Sequence, residues 1–327
     1  MYTITELQKL INEELKVRST ELKKTNPVDL YSPVNYSLDM GGKRLRPVLV
    51  LLSYNMFSET VREALPAAIA IEVFHNFTLL HDDIMDNADV RRNRPTVHKK
   101  FSENSAILSG DVMAFIAYRY LYECKAEQLN EVCNLFTNTA IEVCEGQQYD
   151  MEFENRMDVT EEEYLEMIRL KTAVLLACSL KSGALLVNAD KKITGQLYDF
   201  GINLGLAFQL QDDLLDSFGD PDSFGKKIGG DILANKKTFL SINALQQATG
   251  ETKNELLNWF SNTELNPEEK IKSVLEIYKK LNIRSFTEQK IELYFNKCNQ
   301  ILDEIEIDYE RKSQLKEISK LMLKRVS

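Results

Sequence analysis

The chain has 327 residues, 44 % of them apolar, enough for a sizeable core in one large domain or two ordinary ones. Its net charge of −10 argues against nucleic acid as a partner, and thirteen Gly with seven Pro favour helices over sheets. Five cysteines, odd in number and without CxxC spacing, point away from a disulfide framework or a zinc site and toward the reducing cytoplasm. The segment from Met1 to Leu22 is too charged for a signal or transit peptide, and no apolar run approaches the ~20 residues of a membrane span.

Residues 3–24 carry apolar side chains at Ile4, Leu7, Leu10, Ile11 and Leu15, a helical period that Asn26-Pro27 breaks. Residues 43–57 read as a buried helix with Pro47 in its first turn, where the missing N–H costs little. Lys43 and Arg46 then lie at a helix N-terminus, which already favours an anion. An ordinary basic helix start explains that block equally well when it is taken alone. Pro66 opens a helix that is free of Gly and Pro from Ala67 on and ends in Asp82-Asp83-Ile84-Met85-Asp86. Residues 87–100 are polar, basic and broken by Pro95, hence a loop.

Helices follow at 104–124 and 126–149. Thr160 with Glu163 forms a capping box for a helix that runs to about Val187. The apolar neighbours of Lys171 in that helix turn it toward the interior. The helix over 192–217 ends in Asp212-Asp213-Leu214-Leu215-Asp216. From Gly219 to Asn235 the chain is a glycine-rich loop with Lys226-Lys227; the P-loop pattern is absent, and the segment reads as a lid. Further helices fall at 238–249 and 252–262, from Asn266-Pro267, and at 283–304 and 308–325. With no linker or repeat in view, residues 1–327 form a single all-α domain around a central cavity.

The two DDxxD segments carry the chemistry. At about 100° per residue, the first and last carboxylates of each motif lie about 40° apart on one helix face. His75, seven residues before Asp82, shares that face. Such carboxylates repel on a solvated helix, and a divalent cation reverses the sign: Mg²⁺ takes one or two protein carboxylates and leaves the rest of its shell to water or phosphate. One motif alone is better read as an acidic helix end. Two copies, each closing an apolar helix, suggest carboxylate clusters facing each other across a cavity, as in metal-binding bundles. Clustered Lys and Arg suit a metal-bound diphosphate. No GxSxG elbow or HExxH zinc motif competes. The mechanism expected is electrostatic, with metals and cationic side chains stabilising the departing diphosphate.

In order along the chain stand Gly41-Gly42-Lys43-Arg44-Leu45-Arg46-Pro47, His81-Asp82-Asp83-Ile84-Met85-Asp86 with Arg91-Arg92 and Arg94-Pro95-Thr96, Gly110-Asp111, Lys171-Thr172, Phe208-Gln209-Leu210-Gln211-Asp212-Asp213-Leu214-Leu215-Asp216, and Gly229-Gly230-Asp231 through Lys236-Lys237-Thr238. This series resembles the trans-isoprenyl diphosphate synthases, or polyprenyl synthetases. The resemblance implies a homodimer that condenses isopentenyl diphosphate head-to-tail with an allylic diphosphate. It implies that Asp82, Asp86 and Asp212 bind Mg²⁺, with Asp83 and Asp216 as weaker ligands. Lys43, Arg46, His75 and Arg92 would hold isopentenyl diphosphate. Arg91, Lys171, Lys227 and Lys236 would hold the allylic diphosphate, Lys227 being chosen over Lys226 by its spacing to Asp231. The Lys171 carbonyl, Thr172 and Gln209 would face the allylic cation. One aromatic before the first motif, Phe77, followed by the smaller Thr78, resembles the geranylgeranyl (C20) type, with Phe74, Met113 and Phe115 as residues that shift the floor; farnesyl (C15) or longer products are the alternative.

A class I terpene cyclase shares DDxxD and Mg²⁺ but usually lacks the second motif and the Gly-Lys-Arg block. A non-catalytic synthase subunit tends to lose carboxylates or cationic anchors, all of which are present here.

Overall fold

Helix follows helix through the described residues, 1–219, 228–262 and 266–323 of a computed structural model. In order they are α1 (Ile4–Leu22), α2 (Val28–Leu38), α3 (Leu45–Asn55), α4 (Leu65–Met85), α5 (Val97–Lys100), α6 (Glu103–Leu121), α7 (Leu129–Glu154), α8 (Glu161–Ile168), α9 (Val174–Leu186), α10 (Lys191–Phe218), α11 (Gly230–Leu233), α12 (Phe239–Gln247), α13 (Gly250–Ser261), α14 (Pro267–Lys280), α15 (Ile283–Glu304) and α16 (Tyr309–Leu323). The only sheet among the described residues is a hairpin pairing Val90–Arg91 with Arg94–Pro95, inside the segment expected to be an irregular loop. The five cysteines are free thiols. Backbone contacts divide the chain into two compact units.

The first unit holds residues 1–137, 178–197 and 307–315. Its centre is α4, which packs most extensively on α6 and also on α3. Ala67 through Ile71, Val73 and Phe74 are all buried, so this helix is apolar all round. Val61–Met85 reaches the length and hydropathy of a membrane-crossing helix, yet 67 % of its apolar window is buried within the protein, as a core helix is. After the break at Asn26-Pro27, α2 forms even though Pro33 inside it removes one hydrogen bond. In α3 the helix starts at Leu45 rather than at residue 43, because Arg44 takes a left-handed conformation at φ 52°.

The second unit holds residues 138–177, 198–306 and 316–327, of which 263–265, 220–227 and 324–327 lie outside the described set. Its core joins Phe153, Tyr164, Leu210, Leu214, Phe239 and Tyr278. The capping box at Thr160 and the Asn266 cap with Pro267 form as the sequence indicates. Between α8 and α9 the helix widens into a π turn over Arg169–Ala173. Such bulges insert a residue into the ladder and collect at functional sites. Two glycines make room for it. A Cβ on Gly146 would come 2.3 Å from the Lys171 backbone nitrogen, and one on Gly205 would come 2.4 Å from the Ala173 Cα.

Candidate active site

In the first unit the last turn of α4 sorts its acids by helical phase. Asp83 faces inward at 3 % exposure, while Asp82 is partly buried and Asp86 exposed. Arg91, carried by the hairpin, grips Asp83: Nε donates to both carboxylate oxygens at 2.9 Å, and Nη2 lies 2.8 Å from Oδ1. The same Nη2 stands 3.9 Å from Asp82 Oδ2. Burial raises the Asp83 carboxyl despite Arg91, whereas the Asp83 pair outweighs burial for Arg91 and raises the guanidinium. The difference follows exposure, 4 % for the Asp83 side chain and 28 % for that of Arg91.

A cationic pocket lies nearby in the same unit. Arg44 is buried against Glu72 at 2.5 Å and donates to the Leu38 carbonyl, which anchors the left-handed turn before α3. Asn76 donates to Glu72 as well. With Glu72 committed, Arg46 turns to His75, Nη1 to Nε2 at 3.0 Å. Desolvation brings the Arg46 guanidinium down to about 10, with Glu72 opposing and Arg92 adding to the fall. Burial, then Arg46, Arg92, Arg91 and Arg44, hold His75 well below its ordinary value, so the ring is neutral. Arg46 Nη1 therefore donates to Nε2 and leaves the ring proton on Nδ1. Arg46 Nε is buried with no hydrogen-bond partner among the described residues, a donor that suits an incoming anion. Arg92 donates to the Gly41 carbonyl, and burial lowers its guanidinium. The backbone of Lys43 accepts from Gln8 Nε2 at 3.0 Å, and its side chain is exposed.

The floor residues belong to this unit too. Phe77 packs on Phe74 with ring centres 5.3 Å apart, and Phe74 meets Phe136 edge-on at 5.1 Å. Met113 on α6 is buried, but Phe115 on the same helix is 73 % exposed and does not point to an internal floor.

In the second unit the other motif repeats the phase: Asp213 is buried, and Asp212 and Asp216 are partly accessible. Tyr164 donates a short hydrogen bond to Asp213 Oδ2, and Gln209 Nε2 donates to Oδ1 at 3.0 Å. Burial, then the charge of Asp231, push the Asp213 carboxyl well above its usual range. Thr172 Oγ1 donates to Gln209 Oε1 at 3.1 Å. Asp216 Oδ2 accepts from the Asp231 N–H at 3.0 Å, which ties the loop back to α10.

Lys171 and Lys236 converge on Asp150, at 2.6 and 3.7 Å. Burial would raise this carboxyl, yet the two lysines together hold it below the usual range. The structure thus gathers Lys171, Thr172, Gln209 and Lys236 in one unit, and Lys43, Arg46, His75, Asp82, Asp86, Arg91 and Arg92 in the other. Lys227, like Lys226, lies outside the described residues. Reading the sequence missed three partners. Glu72 had a signal, a lone charge within the apolar run 67–74; Asp150 and Tyr164 had none.

The model of the family described as polyprenyl synthetase matches residues 27–278. The chain is 43 % identical over 274 residues to the short chain isoprenyl diphosphate synthase of Methanocaldococcus jannaschii, covering 84 % of this chain and 81 % of that protein. A crystal structure of a geranylgeranyl pyrophosphate synthase matches all of both chains at 46 % identity and a TM-score of 0.93. A geranylgeranyl pyrophosphate synthase from Corynebacterium glutamicum, complexed with isoprenyl diphosphate and magnesium, matches 98 % of both chains at 27 % identity and a TM-score of 0.86.

Proposed function

The chain belongs to the polyprenyl synthetase family and is a trans-prenyltransferase, and from that premise we propose that it uses Mg²⁺ to extend an allylic diphosphate with isopentenyl diphosphate to geranylgeranyl (C20) diphosphate. The observation that carries the reading is the repeated phase of the two motifs, each with its central aspartate buried and its outer pair turned away from the core. The outer pairs offer only hard carboxylate oxygens, which fit Mg²⁺. Asp82 and Asp86 in the first unit, and Asp212 in the second, would hold Mg²⁺. When bound, the metal supplies positive charge against the diphosphate leaving group.

Arg46, with neutral His75 holding its orientation, binds the diphosphate of isopentenyl diphosphate together with Lys43 and Arg92. Arg91, Lys171, Lys236 and Lys227 bind the allylic diphosphate. The allylic C–O bond breaks, and its electron pair leaves with diphosphate. The isopentenyl double bond then attacks the allylic carbon, and the adjacent carbon gives a proton to the released diphosphate, which restores a double bond. Thr172, Gln209 and the Lys171 carbonyl stabilise the cation through their oxygen dipoles, in surroundings that exclude water.

Phe77 is the floor residue that limits the product, supported from below by Phe74 and Phe136. A second copy of the chain docks on α6, where Leu108, Phe115 and Tyr122 recur every seventh residue as an exposed apolar stripe. The five free thiols suit a reducing cytoplasm.

The test is a product assay with Mg²⁺, labelled isopentenyl diphosphate and dimethylallyl, geranyl or farnesyl diphosphate in turn. A C20 product is expected. Another length rejects the floor assignment, and no condensation with any primer rejects the reaction. Phe77→Ala is expected to lengthen the product by at least one isoprene unit, read on the same chromatogram.

A further inference from the structure

Tyr164 lies outside every motif of the sequence, yet it starts a chain of hydrogen bonds that ends at the π turn. Its hydroxyl, fully enclosed on α8, donates to Asp213 Oδ2. Asp213 Oδ1 accepts from Gln209 Nε2 at 3.0 Å, and Gln209 Oε1 accepts from Thr172 Oγ1 at 3.1 Å. Each link dictates the next. A side-chain amide presents a donor at one end and an acceptor at the other, and only its partners decide which end faces where. Tyr164 holds Oδ2 and so fixes the carboxylate with Oδ1 toward Gln209 as an acceptor, and the amide nitrogen faces Asp213.

The amide oxygen is thereby turned to Thr172, and the single hydroxyl proton of Thr172 is committed to it. What remains at that corner is oxygen lone pairs, two on Oγ1 and one on Oε1, with the hydroxyl hydrogen turned to the amide and both amide hydrogens at the nitrogen end, away from the corner. Dipoles fixed in advance act on a charge without having to reorganise as it develops. A corner of this polarity attracts a cation and repels an anion or a neutral acceptor.

We propose that Tyr164 and Asp213 are positioning residues that set the direction of the Gln209 amide, so that the Gln209–Thr172 corner presents only oxygen to the allylic cation; this rests on the prenyltransferase reading above. On this account the central aspartate of the second motif orients the cation-stabilising groups and does not ligate metal.

The probes are two unreactive analogues of one allylic diphosphate. One carries an ammonium nitrogen at the reacting carbon, and the other is a neutral thio analogue. Tyr164→Phe is expected to weaken binding of the ammonium analogue about tenfold, the size of effect a lost buried hydrogen bond gives, and to leave the neutral analogue unchanged. In turnover, kcat falls about as much, while the KM for isopentenyl diphosphate and the Mg²⁺ dependence stay as in the wild type. If Tyr164→Phe does not fold, Asp213→Leu fills similar space with no acceptor, and the same selective loss is expected of it. Equal weakening of both analogues, no weakening of either, or a raised Mg²⁺ requirement overturns the proposal. A wild-type protein that condenses no primer overturns the reading beneath it instead.

Discussion

The two acidic motifs have the same spacing and the same helical phase, and the protein neutralises them in opposite ways. In the first unit Asp83 meets a guanidinium, so its charge is balanced by charge. In the second unit Asp213 meets a phenol and an amide, which offer hydrogen bonds but no charge. The consequence is visible in the carboxyls: both are raised by burial, Asp213 far more than Asp83, where Arg91 opposes the shift. A motif fixes which residues are buried, but its partners, drawn from distant segments, decide what burial costs.

The largest expected effect tests what the motifs share. Asp82→Ala and Asp212→Ala should each lower kcat by about 10²–10³, with helical circular dichroism unchanged, since removing one element of charge stabilisation in the transition state costs this order. Near-full turnover by either variant with Mg²⁺ would mean that the outer acids are not metal ligands. The next effect separates the motifs. Asp83→Asn strands Arg91 in a partly desolvated place, and should cost about 1–3 kcal/mol, less than a fully buried pair because Arg91 keeps 28 % exposure. Asp213→Asn removes a charge that burial already disfavours and should leave thermal stability equal or higher. Equal losses in the two variants would erase the contrast.

The smallest effect is a pH dependence confined to the first unit. His75 has a folded pKa below its unfolded value of ~6.5. The unfolded chain therefore binds the proton first, and the stability His75 confers above that pKa is lost as pH falls below it. The slope is at most about 1.4 kcal/mol per pH unit for one group. Thermal unfolding followed from pH 7 to 5 should show less acid sensitivity in His75→Phe than in the wild type. An unchanged slope would mean that His75 is not the responsible group.

Helix phase made much of this legible. The 3.6-residue period placed α4 and α10 correctly, though not which acid of each motif lies buried. Caps with a local cause, such as Thr160 with Glu163 and Asn266 with Pro267, were equally plain. What stayed hidden has no local cause. Nothing near Asp150 announces that Lys171 and Lys236, far along the chain, will share it. The π turn at Lys171-Thr172 depends on Gly146 and Gly205 in other helices, and α2 forms in spite of Pro33. Phe115 is named from the sequence as a residue that shifts the floor, and the structure turns it outward.

The all-round apolarity of α4 has a consequence for the protein's birth. Residues 65–85 leave the ribosome before α6, their most extensive cover, has emerged from it. Until then the nascent chain displays a segment that matches a bilayer-crossing helix in length and hydropathy. Chaperones and the membrane-insertion machinery compete for segments of that kind, and transiently bare apolar surface is where chains aggregate. Slowing translation while α4 has emerged and α6 is still inside the ribosome should lower the soluble yield of this chain more than the same delay placed once α6 too has emerged.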